Sequence, residues 1–98
     1  MFVAEVVGNV WGTRKHCSLC DKRLLLVRPI DPLTGERVAD AIMAVEYTTG
    51  AGPGSVVLVM DEGGSARSAL HDEKAPIRTL IVGIVDSVSS GGKVKKYD

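Results

Sequence analysis

Apolar residues gather in five stretches divided by polar, glycine-bearing or proline-bearing segments. Val3 to Val10 is rich in β-branched residues and carries Gly8 inside, which predicts a strand with a bend or a close backbone approach. TRKHCSLCD, residues 13–21, is polar and reads as a loop. KRLLLVRPID gives a short aliphatic strand stopped by Pro29 and Pro32, and DPLTGE is a turn. Val38 to Tyr47 mixes helix-favouring Ala and Met with strand-like surroundings and is read as a strand. VVLVM at 56–60 is a buried-type strand, and TLIVGIVDSV at 79–88 is a long one with a central glycine. Between them GGSARSAL is read as one short helix, with Ser65 at its N-cap.

About five strands and one short helix, with turn signals about 8–12 residues apart, predict an all-β chain: a small closed β-barrel. Residues 1–90 are expected to form this single domain, and 91–98, GGKVKKYD, a flexible basic tail. Leu24 to Val27 and Val56 to Met60 are apolar without alternation. One face of a barrel strand fills the interior, and the other is polar in a monomer exposed to water. The apolar second face therefore predicts burial against further subunits.

The 98 residues carry 12 Lys plus Arg against 12 Asp plus Glu, so no net charge argues for nucleic acid or a membrane surface. Aromatic content is 4%, too little for the stacking platforms of a single-strand binder. The N-terminus MFVAEVVGNVW does not read as a signal peptide. The longest run of apolar residues and glycine, Leu80 to Val85, is far short of the ~20 residues of a membrane helix. A cytosolic location is expected.

GAGPGS, residues 50–55, invites comparison with phosphate-cradling loops. A dinucleotide fingerprint places its glycines between a strand and a helix, and a P-loop needs Gly-Lys-Ser/Thr. Here a strand follows and no such lysine is present, so the loop reads as a tight turn using positive φ angles. Cys17 and Cys20 form one CxxC, half the ligands of a structural zinc site. His16 and His71 could complete a set on paper, but their spacing does not suggest it. The strand that follows is also the wrong context for a thioredoxin-like thiol, which opens a helix. Two reduced loop cysteines are the plainer reading, and a metal or redox group at Cys17 and Cys20 the alternative. Ser65 and Ser68 lack a nucleophile elbow. Asp61, Glu62, Asp72 and Glu73 read as solvated acidic pairs, and no catalytic residue is assigned.

Gly8, Val10, Thr13, Lys15, Leu19 and Lys22 ahead of LLLV, then GAGPGS with VVLV, GGSAR and IVGIVDSV, occur in one order along the chain. That sequence of motifs resembles the EutN/CcmL vertex proteins of bacterial microcompartments over nearly all of residues 1–90. The resemblance implies an OB-like barrel assembling as a ring of five. Such rings plug the corners of polyhedral shells whose facets are hexagonal tiles of another family. It implies a structural role with no cofactor, and homo-pentamer and hexagonal shell proteins as partners. Subunit or tile contacts are then expected at Gly50, Ala51, Gly52, Pro53 and Gly54, facing either a neighbouring tile or the ring axis, and at Ser65 and Arg67, with an intramolecular cap the alternative for Arg67. Two positions depart from the family pattern. Ser55 stands where an acidic residue is common, and the CxxC is not shared. An OB-fold binding nucleic acid, or a metal or redox protein built on the cysteine pair, are the competing readings.

Overall fold

The computed structural model describes residues 1–10, 22–46, 49–61 and 79–97. Within them lie seven strands: β1 (Phe2–Val10), β2 (Arg23–Pro29), β3 (Ile42–Glu46), β4 (Val56–Asp61), β5 (Thr79–Ile84), β6 (Ser87–Ser90) and β7 (Lys93–Lys96). The first five close a barrel in the order β1-β2-β3-β5-β4, with β4 pairing back onto β1. All ladders in it are antiparallel except the seam between β3 and β5, where Val45 faces Leu80. The small closed barrel expected from the turn spacing, OB-like by the family resemblance, is therefore the observed fold. The expected short helix over GGSARSAL lies outside the described residues.

Alternation along each strand sends one set of side chains inward. Ala4 and Val6 of β1, Leu25 and Val27 of β2, Ala44 of β3, Val57 and Val59 of β4 and Ile81 of β5 form the core. Ala51 joins them from the glycine loop. The intervening residues make a second apolar layer on the outside, where Val45 and Leu80 are buried with Leu24, Met60 and Val82 against them. Next to it the cross-strand pair Leu26 and Met43 continues the apolar surface, and Met43 is 53% exposed. The runs without alternation in the sequence thus serve two faces, one internal and one external.

Among the described residues two bulges shape the barrel. On β1, Val6 pairs with Val27 and Gly8 with Leu26, so Val7 is the extra residue. A bulge bends a strand and increases its twist, which helps a five-stranded sheet close. The expected bend at Gly8 is thus present, one residue earlier. On β5, Gly83 pairs with Leu58 and Ile81 with Val59, leaving Val82 unpaired.

TLIVGIVDSV, expected as one long strand, is divided. β5 stops at Ile84, Val85 donates its N–H to the carbonyl of Val56 at 2.8 Å, and the chain turns away into β6. Residues 91–97, expected within a mobile tail, return as β7 of a hairpin. Gly91 (φ 56°) and Gly92 (φ 82°) supply the left-handed pair that a two-residue hairpin turn requires. An isolated two-stranded ribbon is marginal in water, and this one is fastened at its base. The Tyr97 hydroxyl donates to the Pro32 carbonyl at 2.7 Å, and the Tyr97 N–H donates to the Asp86 carbonyl at 2.8 Å. Lys95 lies 5.8 Å from the centre of the Tyr97 ring. Tyr97→Phe is expected to cost no more than about 1 kcal/mol. Its visible effect should be faster amide exchange confined to 87–97, and unchanged exchange there would show the hairpin to be independent of this bond.

Candidate functional site

Leaving β3, the chain runs through Thr49 and the glycine loop into β4, and this segment lies across one end of the barrel. Its anchor is Glu46, the last residue of β3, whose side chain is 3% exposed. A buried carboxylate is costly unless it is paired and hydrogen-bonded. Here the β2–β3 register sets Arg23 directly opposite, and its Nε donates to Glu46 Oε2 at 2.8 Å. The other oxygen, Oε1, accepts from the Thr49 hydroxyl at 2.9 Å and from the Gly50 N–H at 2.7 Å. The Arg23 Nη2 continues to the carbonyl of Ala51 in the loop. Burial is the largest single influence on Glu46 and pushes its pKa up. The Arg23, Gly50 and Thr49 hydrogen bonds, with the Arg23 charge, together outweigh it and hold the carboxyl below its ordinary value.

Beyond Gly50 the loop is bonded to itself and to β1. Ala51 N–H reaches the Thr49 hydroxyl at 3.4 Å, a weak contact, and Gly52 N–H reaches the Ser55 hydroxyl at 3.2 Å. Ser55 N–H donates to the Gly52 carbonyl at 2.9 Å. Gly54 N–H donates to the Val6 carbonyl, and Val6 N–H to the Ser55 carbonyl, both at 2.9 Å. Every N–H from Gly50 to Ser55 is spent in this way, and Pro53 has none. A phosphate cradle needs several convergent free N–H groups, so the loop is not one. Ser55 uses its hydroxyl to brace the loop from within.

The positive φ angles expected of the glycines occur at Gly50 (75°) and Gly54 (92°) but not at Gly52. A Cβ built at any of the three meets no atom of the described residues within 4 Å, so among these residues nothing covers the glycine stretch. Ala51 is the exception among the candidate contact residues, since its side chain is in the core. Whatever the loop presents outward comes from Gly50, Gly52, Pro53 and Gly54. Ser65, Arg67, Cys17, Cys20, His16 and His71 lie outside the described residues. Among the described residues no three metal-ligating side chains come together. The feature that sequence reasoning missed is the Arg23–Glu46 pair. The signal available was an arginine opening one aliphatic strand and a glutamate ending the next.

Residues 1–86 match the family described as ethanolamine utilisation protein EutN/carboxysome. The chain is 39% identical over 94 residues to the bacterial microcompartment shell vertex protein EutN of Escherichia coli (strain K12), covering 96% of each. It is 33% identical to the carboxysome shell vertex protein CcmL of Nostoc sp. (strain PCC 7120), covering 90% of this chain and 85% of that one. Its fold superposes on the GrpN pentameric microcompartment shell protein of Rhodospirillum rubrum with a TM-score of 0.77 and 31% identity, covering 92% and 99% of the two chains.

Proposed function

The chain belongs to the EutN/CcmL family of bacterial microcompartment shell vertex proteins, and from that membership we propose that five copies close into a ring capping a shell vertex, seated among hexagonal shell proteins. The role is structural rather than enzymatic. A sheet of six-fold tiles alone is flat, and a closed polyhedron requires five-fold positions, so such a ring contributes curvature. Closed cyclic rings are built from heterologous contacts, in which one surface of each subunit meets a different surface of the next.

The observation that carries the ring is the outer apolar face. Leu26 and the half-exposed Met43 extend the buried layer of Val45 and Leu80 to the surface, and a neighbouring subunit would remove that surface from water. The similarity to a pentameric shell protein sets the number at five. Native mass spectrometry of the purified protein is expected to give five chains per particle. A stable monomer at micromolar concentration would overturn the ring, and six chains would overturn the vertex role.

The glycine loop is assigned to the meeting edge between the ring and its neighbours. Backbone without side chains at Gly50, Gly52 and Gly54 allows a second protein edge to approach closely. Ser65 and Arg67 are proposed to serve the same contacts, Arg67 through the several directed donors of its guanidinium. The cysteine pair is given no part in them. Changing Cys17 and Cys20 together to Ser should leave five-membered particles, and loss of the ring, or stoichiometric zinc or iron in the wild type, would assign the motif a structural role.

A further inference from the structure

Three glycines in five residues make a segment with much conformational entropy to lose, yet the loop is held in one shape while a Cβ added at any of the three would touch nothing among the described residues. The restraints fall into two groups. Gly54 and Ser55 are tied to Val6 and so extend the β1–β4 ladder. Gly52 belongs with this group, since its N–H and its carbonyl are both bonded to Ser55. Gly50 and Ala51 have no ladder, and their shape traces to the Glu46 carboxylate, which takes the Gly50 N–H and the Thr49 hydroxyl. Arg23 spans both parts of the arrangement, bonding Glu46 with Nε and the Ala51 carbonyl with Nη2. Ala51, seated in the core, pins the midpoint.

We propose that Arg23 and Glu46 are positioning residues that fix the Gly50–Ala51 part of the loop before any partner arrives. A contact surface already in its bound shape loses less entropy on association, so the pair acts on assembly without touching the partner. Its consequence for shells rests on the reading of this loop as the contact edge, whereas its consequence for loop order does not.

Residue-resolved amide exchange on the isolated rings separates the two. In Glu46→Ala the amides of Gly50 and Ala51 should exchange at least about tenfold faster, while Gly52, Gly54, Ser55 and the core amide of Val57 stay near wild-type rates. Glu46→Gln, which keeps an acceptor for Gly50 and Thr49, should restore much of the protection at Gly50. If Glu46→Ala does not fold, Arg23→Ala, which removes a side chain 49% exposed, should loosen Gly50 and Ala51 in the same local way. Unchanged exchange at Gly50 and Ala51, or an equal rise throughout the barrel, would overturn the proposal and leave an ordinary stabilising ion pair. Co-expression with hexagonal shell proteins then tests the contact itself. A loosened loop with normally closed shells would remove the contact reading and leave the positioning role standing, and a loosened loop with open shells supports both.

Discussion

Gly52→Val is expected to fold, to form five-membered rings and to leave shells uncapped, seen by electron microscopy as open or elongated bodies when the variant is co-expressed with hexagonal shell proteins. Within one chain the substitution meets little resistance. Gly52 is outside the positive-φ region, and an added Cβ meets no atom of the described residues within 4 Å. A substitution at such a surface position costs about 0.5 kcal/mol or less, small against a net stability of about 5–15 kcal/mol. The same branched side chain stands where a second protein edge would approach, and the obstruction recurs at each subunit of the ring. Gly54→Val provides the contrast. At φ 92° it is expected to lose at least about 1–2 kcal/mol from backbone strain alone, so its thermal midpoint should fall where that of Gly52→Val does not. Normal closure with Gly52→Val would place the loop facing solvent, and insolubility would make it chiefly a folding turn.

The barrel was legible because its strands announce themselves by β-branched composition and by glycine and proline at their ends. Leu24 to Val27 and Val56 to Met60 even carried the information that both faces are used, since neither run alternates. Three features were not legible, each for its own reason. Apolar continuity from Leu80 to Val85 hid the end of β5 at Ile84, because composition does not mark where a ladder stops, and Asp86 with Ser87 was the only break in the run. KVKK looked like a solvated basic tail because its pairing partner, SVSS, is itself polar. Only the Gly91–Gly92 pair between them signals the hairpin, and its fastening through Tyr97 to Pro32 spans 65 positions. The Arg23–Glu46 pair depends on strand register, which neither residue's neighbours specify. The loop it holds was recognised as a turn, but its N–H groups could be accounted for only after the partners at Val6, Thr49 and Ser55 were known.

Arg23→Ala is expected to lower stability at neutral pH by about 1–2 kcal/mol, with the gap to wild type closing in acid. A hydrogen bond to a charged group contributes about 1.5–3 kcal/mol. Exposure of half the Arg23 side chain lets water replace part of that. For a domain of this size the loss corresponds to a fall in thermal midpoint of about 5–15 °C. The direction with pH follows from Glu46, whose folded-state pKa is lowered from its ordinary value of 4.5. Between the two values the unfolded chain binds more protons than the folded one, so stability rises with pH across that window. The contribution of the pair is therefore complete above the ordinary carboxylate value and disappears as pH falls through the depressed one. Removing Arg23 takes away both its hydrogen bond and its charge, while the burial that pushes the carboxyl up remains. The Glu46 pKa in the variant therefore moves up and its acid sensitivity shrinks. Urea midpoints of the two proteins, measured from pH 7 down to pH 3 at fixed protein concentration, should converge below the ordinary carboxylate value. A gap that stays constant across that range would mean that Arg23 stabilises the barrel end through packing and the Ala51 carbonyl rather than through the charge on Glu46.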